Sequence, residues 1–266
     1  MKHNLIHILS FMLVCLLTGC VTEFDDLGLG NLQPDNSRGS FTLGLSTDSL
    51  AVVVETRAGR DLTDEEQKMF SVSLTQKGEP IWSNLTYADI TLADRTQPVG
   101  DDYMVSAENC TEAEAEAANN GWGQRRYWGC SPSFSIEKDQ DTPVSVDCHM
   151  ANAGLCVRFD ESFSSYFTHG YSVTTDDSRT LRFDATTTDR MAYYNVPEGT
   201  TRSVHLLINA SAGWDGTLHI ERDIILQPCR TFRLNVRKGM PATGTMDVII
   251  TTEDFTEGES EEVIIE

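Results

Sequence analysis

The 266-residue chain lacks the local signatures of the commoner catalytic sites. It has no Gly-x-Ser-x-Gly elbow, no glycine-rich phosphate loop and no His-Glu-x-x-His pair. His149, His169, His205 and His219 are scattered, and Cys148 and His149, as neighbours on a strand, point to opposite faces, so no metal-ligand spacing arises. A non-catalytic protein without metal or cofactor is expected, although glycosidase carboxylates leave no local motif to find. Positive charge is also scarce. Twenty Lys and Arg stand against 41 Asp and Glu, a net charge of -21. That balance excludes nucleic acid as a partner, because phosphates demand a basic surface, and it opposes docking on anionic lipid headgroups. Long apolar runs are missing too: nothing after Leu17 is long enough to span a bilayer.

What is present begins at the N-terminus. Lys2 and His3 precede an apolar run from Leu5 to Leu17, too short to cross a membrane comfortably, which reads as a secretory signal. The run ends in Leu17-Thr18-Gly19-Cys20, a pattern that resembles the bacterial lipobox. The resemblance implies that residues 1–19 are removed and that the Cys20 thiol carries diacylglycerol, with palmitate-type acylation of the new amine. Two or more chains hold a protein firmly, so the lipid supplies the membrane contact that charge denies. Residues 20–39, with Gly28, Gly30, Pro34 and Asn36, form a flexible tether. Its r.m.s. reach is roughly 25 Å. Glu23, Asp25 and Asp26 are similar to the acidic export signal by which some Bacteroidetes lipoproteins reach the outside of the outer membrane.

From Phe41 the pattern turns to period two, with Phe41, Leu43 and Leu45 on one side. Short strand-like runs separated by turn residues then continue to the end, and the only helix signals are Thr-x-x-Glu capping boxes at Thr63 and Thr111. This predicts an all-β chain of two tandem β-sandwiches, residues 40–151 and 152–252, followed by an acidic tail, 253–266. The tail reads as disordered, or else as a strand donated to a sheet edge through Val263-Ile264-Ile265. Once Cys15 is lost and Cys20 lipidated, five cysteines remain. Cys110 and Cys130 bracket a loop and are the candidate disulfide in an oxidising compartment, whereas Cys148, Cys156 and Cys229 read as buried apolar fillers. The densest aromatic and basic cluster, Trp122 to Trp128, includes Tyr127, Arg125 and Arg126. With Trp82 and Trp214, these rings read either as core or as flat faces for glycans.

Several runs share an order: Gly39-Ser40-Phe41-Thr42-Leu43-Gly44-Leu45, Val54-Glu55-Thr56-Arg57-Ala58, Tyr103-Met104-Val105-Ser106-Ala107, Tyr127-Trp128-Gly129, and Val144-Ser145-Val146-Asp147-Cys148 leading to Val157-Arg158-Phe159. With the lipobox, they resemble the Bacteroidales lipoproteins that carry domain of unknown function 4493, a branch of the fimbrillin-like superfamily. The resemblance implies transthyretin-like sandwiches, a lipid anchor in the cell outer membrane, and a structural or adhesive, fimbria-related role. It also implies fimbrial subunits as partners by strand addition, and Arg57 as a site of proteolytic processing. The alternative is a glycan-binding surface lipoprotein using Trp122, Tyr127 and Trp128.

Overall fold

The computed structural model describes residues 37–47, 63–213, 216–239, 248–254 and 259–265. Cys20, Arg57 and Trp214, with most of the tether, lie outside the described residues. The chain is all-β, with short helices between strands.

The first half follows its alternating sequence closely. It comprises β1 (Arg38–Thr47), β2 (Ser71–Gln76), β3 (Glu79–Thr86), β4 (Thr96–Pro98), β5 (Gly100–Glu108), β6 (Tyr127–Cys130), β7 (Phe134–Ile136) and β8 (Asp141–Met150). The sheet order is β3-β2-β5-β6-β8-β1-β4, with β7 paired to β5. β1 and β8 run parallel, in register from Ser40 opposite Asp141 to Thr47 opposite Cys148. Along β8, Val144, Val146, Cys148 and Met150 are buried while Ser145, Asp147 and His149 are exposed, as period two requires. Past Ser40, the far side of β1 receives side-chain donors and, among the described residues, no strand: Arg95 donates to the Phe41 carbonyl (3.4 Å) and Tyr87 to the Leu43 carbonyl (3.1 Å). Phe41, Phe70, Val72, Leu74, Tyr103 and Val146 centre the first buried cluster. Gly129 is required where β6 meets β8, because a Cβ there would fall 2.3 Å from the Asp147 carbonyl oxygen.

The second half sets two sheets over one core. Its strands are β9 (Ala153–Phe159), β10 (Tyr171–Thr175), β11 (Arg182–Phe183), β12 (Ala192–Tyr194), β13 (Arg202–Ser211), β14 (Thr217–Leu226), β15 (Thr231–Lys238), β16 (Val248–Asp254) and β17 (Glu259–Ile265). One sheet is ordered β11-β10-β13-β14 and the other β12-β9-β15-β16-β17. Leu155, Val157, Phe183, Tyr194, Leu206 and Leu234, drawn from both sheets, share the second buried cluster. The buried members of the first cluster run from Phe41 to Cys148 and those of the second from Ala153 to Val236, with Trp122 packed against the second.

Among the described residues four short α-helices interrupt the strands: α1 (Asp64–Lys68), α2 (Leu92–Arg95), α3 (Glu112–Ala117) and α4 (Glu161–Tyr166). The capping boxes expected at Thr63 and Thr111 open α1 and α3. A third box, Thr91 with Asp94, opens α2 in a stretch whose Tyr87, Ile90 and Leu92 suggest a strand. The C-terminal segment also departs from a disordered tail. Glu259–Ile265 pairs antiparallel with β16, placing Val263, Ile264 and Ile265 opposite Ile250, Ile249 and Val248. The β-branched composition of both segments favours extended backbone there.

Candidate functional site

The connection between β5 and β6, residues 109–126, is the longest excursion of the first half among the described residues, and it reaches across to the second. Its neck is closed by Asn109, whose side chain accepts from the Tyr127 amide (2.7 Å) and donates to the Arg125 carbonyl (3.1 Å). Beyond the neck the Thr111 cap starts α3, which buries Ala115 and points Glu112 and Glu116 toward the second half. The hydrogen bonds from Thr111 hold the Glu114 carboxyl below its ordinary range.

Charge then ties the excursion down. Glu116 accepts from Arg202 (2.6 Å), and Glu112 accepts from the Asn195 amide (2.7 Å) and from Arg126 (3.4 Å). Arg179, with its side chain only 10% exposed, donates to the carbonyls of Gly121 (3.0 Å) and Tyr193 (2.7 Å), one from each half. Its guanidinium carbon stands 3.9 Å over the Tyr194 ring, with that of Arg202 at 5.0 Å. Burial pushes the Tyr194 phenol up to about 12. Gly123 has φ +77° and would carry a Cβ 2.8 Å from the Tyr193 carbonyl oxygen, so only glycine lets the backbones approach this closely.

This seam decides the fate of the aromatic cluster. Trp122 meets Phe183 edge-on at 5.0 Å and is covered by Arg190 at 4.0 Å, so it belongs to the second core. Tyr127 is 6% exposed and takes a hydrogen bond from Arg125 (3.1 Å). Both rings are thus engaged in packing. Trp128 is 40% exposed on β6 opposite His149. It looks into a groove of about 550 Å³ whose walls include Asp147 and Cys130 from the first half and Pro197, Glu198 and Cys229 from the second. Arg126 lies along this groove with its charge committed, to Glu108 (2.7 Å), Glu112 and the Cys110 carbonyl (3.2 Å). Trp82 is half-buried against the first core, with its indole donating to the Asp94 carbonyl (3.1 Å).

The cysteines require two corrections. Cys130 pairs across from Ser106, whereas Cys110 lies two residues past Glu108, the partner of Trp128. Continuing that antiparallel register sets Cys110 opposite Arg126, four positions from Cys130, or about 13 Å along the strand, beyond disulfide reach. Both are free, half-buried thiols. Cys229 is not a buried filler: it is exposed in the turn between β14 and β15 with φ +60°. Cys148 and Cys156 are buried, which raises their thiols to about 12 and about 11. Iodoacetamide near pH 8 should therefore alkylate Cys229 first, and Cys148 and Cys156 only after denaturation, since thiolate and access are both required. Peptide mass spectrometry reads the order, and a Cys110–Cys130 disulfide in the native protein would contradict the register.

Among the described residues no group of three or more His, Cys, Asp or Glu side chains is placed to hold a metal ion. No described helix is long and apolar enough to cross a membrane.

The family model for the domain of unknown function DUF4493 matches residues 37–266, from the start of β1 to the end of the chain. The chain belongs to the DUF4493 family. No curated protein matches it. Among solved structures, this DUF4493 protein is similar to a fimbrial assembly protein from Parabacteroides distasonis, at 13% identity over 85% of this chain and 100% of that one, with a TM-score of 0.46. It is also similar to a candidate cell adhesion protein from Bacteroides uniformis (11% identity, 84% and 100% covered, TM-score 0.41). The fimbrial anchor protein Mfa2 from Porphyromonas gingivalis gives 11% identity, 84% and 99% covered, and a TM-score of 0.37.

Proposed function

We propose that this chain is a structural and adhesive lipoprotein of the cell outer membrane, held by lipid on Cys20, facing outward, and performing no catalysis. In this reading residues 40–151 and 152–252 are tandem β domains borne on the tether, and the role is fimbria-related. The observation that carries it is the seam. The β5–β6 excursion is joined to the second half through Glu112 with Asn195, Glu116 with Arg202, Gly121 with Arg179, and Trp122 with Phe183. Such groups serve stiffness and spacing, which a projecting surface subunit needs.

Partner subunits would meet it by strand addition, in which backbone hydrogen bonds extend a sheet edge. β14 is the longest strand at a sheet end among the described residues, with ten residues against eight for β3, whose Pro80 and bulged register blunt it. Arg57, outside the described residues, is the proposed point of processing.

Replacing Cys20 with serine tests the anchor, because a hydroxyl cannot form the thioether. The variant should move from the membrane fraction to the soluble fraction, and the native protein should be labelled on intact cells by an impermeant reagent. Persistence of the variant in membranes, or labelling of the native protein only after lysis, would overturn the reading.

A further inference from the structure

Beyond a structural role, we propose that the groove between the two halves is a binding site for a neutral saccharide, with Trp128 as its stacking face. The case begins with exposure. Of the aromatic residues in the 122–128 cluster, Trp122 and Tyr127 are consumed by packing, while Trp128 is 40% exposed, against a strong tendency of indole to be covered. It stands in a concavity, not on a convex flank. At about 550 Å³ the groove is a usual size for a small-ligand pocket, and it sits at the meeting of two packed units, where such pockets concentrate.

The polar lining narrows the ligand class. Glu112, Asp147 and Glu198 bring carboxylates to the groove, and Arg126 brings the guanidinium. Arg126 is already engaged by Glu108 and Glu112, and Asp147 accepts from Ser46, while Glu198 is an exposed carboxylate in the lining. A wholly apolar ligand would desolvate these groups without replacing their hydrogen bonds. An anionic polymer would meet three carboxylates and a chain of net charge -21. A simple ammonium would fill little of the volume. A neutral sugar satisfies both kinds of surface, since its C–H face lies on the indole while its hydroxyls donate to carboxylates and accept from remaining N–H groups. Pro197 and Pro228, from the second half, add rigid apolar surface to the same lining.

The test uses the full lipidated chain in a detergent without a sugar headgroup. Neutral probes are the methyl glycosides of glucose, mannose and galactose and their linear hexasaccharides; heparin oligosaccharides and choline serve as anionic and cationic probes. Readouts are Trp emission and protection of Cys229, which lines the same groove, from alkylation. At least one neutral probe should saturate below about 10 mM, an affinity typical of weak ligands. Trp128→Ala should weaken that binding about ten-fold or more, Trp128→Phe should restore most of it, and Glu198→Gln should cost less than Trp128→Ala. Three results would each overturn the proposal: no neutral probe saturating, binding unchanged in Trp128→Ala, or saturation by choline or heparin alone. Anchoring is read by fractionation, so the site can fail while the lipoprotein assignment stands.

Discussion

Arg179→Met should lower the stability of the folded chain by about 3 kcal/mol, because removing one member of a buried charged network leaves the others uncompensated. At roughly 2–4 °C per kcal/mol for a chain of this size, the thermal midpoint should fall by about 6–12 °C. The reasons are local and specific. The guanidinium holds two carbonyls, Gly121 and Tyr193, that belong to different halves. It stands 3.9 Å from both Asp177 and Glu116, whose side chains are only 15% and 29% exposed. Methionine fills the space over Tyr194 but donates nothing, so both carbonyls lose this donor and Arg202 alone faces the acids. Arg179→Lys should recover little, since an ammonium keeps the charge without the planar fork that spans two acceptors. A midpoint within about 1 °C of the native one would show that the seam contributes little to stability.

Phe163→Ala should cost about 3–5 kcal/mol, the usual range for truncating a buried aromatic residue. Phe163 is fully buried and is the one buried residue of α4. Its ring lies 4.5 Å from Phe167, 5.7 Å from Tyr171 and 5.9 Å from Phe159, so its loss opens a void ringed by aromatics. The six-residue helix keeps its Asp160 cap but loses its attachment to the core. Denaturant titration with a change in midpoint and an unaltered slope would read this as lost stability. A cost below about 1 kcal/mol would mean that α4 is a surface appendage of the fold.

How much of this was legible varied with the range of the interaction. Period two in Phe41, Leu43 and Leu45 and in Val144, Val146 and Cys148 disclosed buried faces directly, because a strand writes its burial into alternate residues. The boxes at Thr63 and Thr111 were legible because both partners lie within four residues. α4 has a local signal in Asp160 as cap, with Phe163 and Phe167 four apart on one face. The cysteine pairing failed for a different reason. Whether Cys110 meets Cys130 depends on the register between β5 and β6, which bracketing a loop does not specify. The site was half visible. Trp122, Tyr127 and Trp128 could be picked out as a cluster, but which ring stays open depends on Phe183, Arg190 and Tyr193, more than 55 residues downstream. Arg179 had no local signal at all, since both carbonyls it holds lie in other segments.

The strand nearest the tether has a mechanical consequence. β1 enters the sheet parallel to β8 over eight matched positions, with Arg95 and Tyr87 bonded to its other flank. In the proposed lipid-anchored state, drag on the body would arrive at Arg38 and pull β1 lengthwise, shearing those contacts together where they cannot peel open in sequence. Resistance to forced unfolding is set by the rate of that rupture and not by equilibrium stability. Under that proposal the strand that takes the load is one held along both of its flanks.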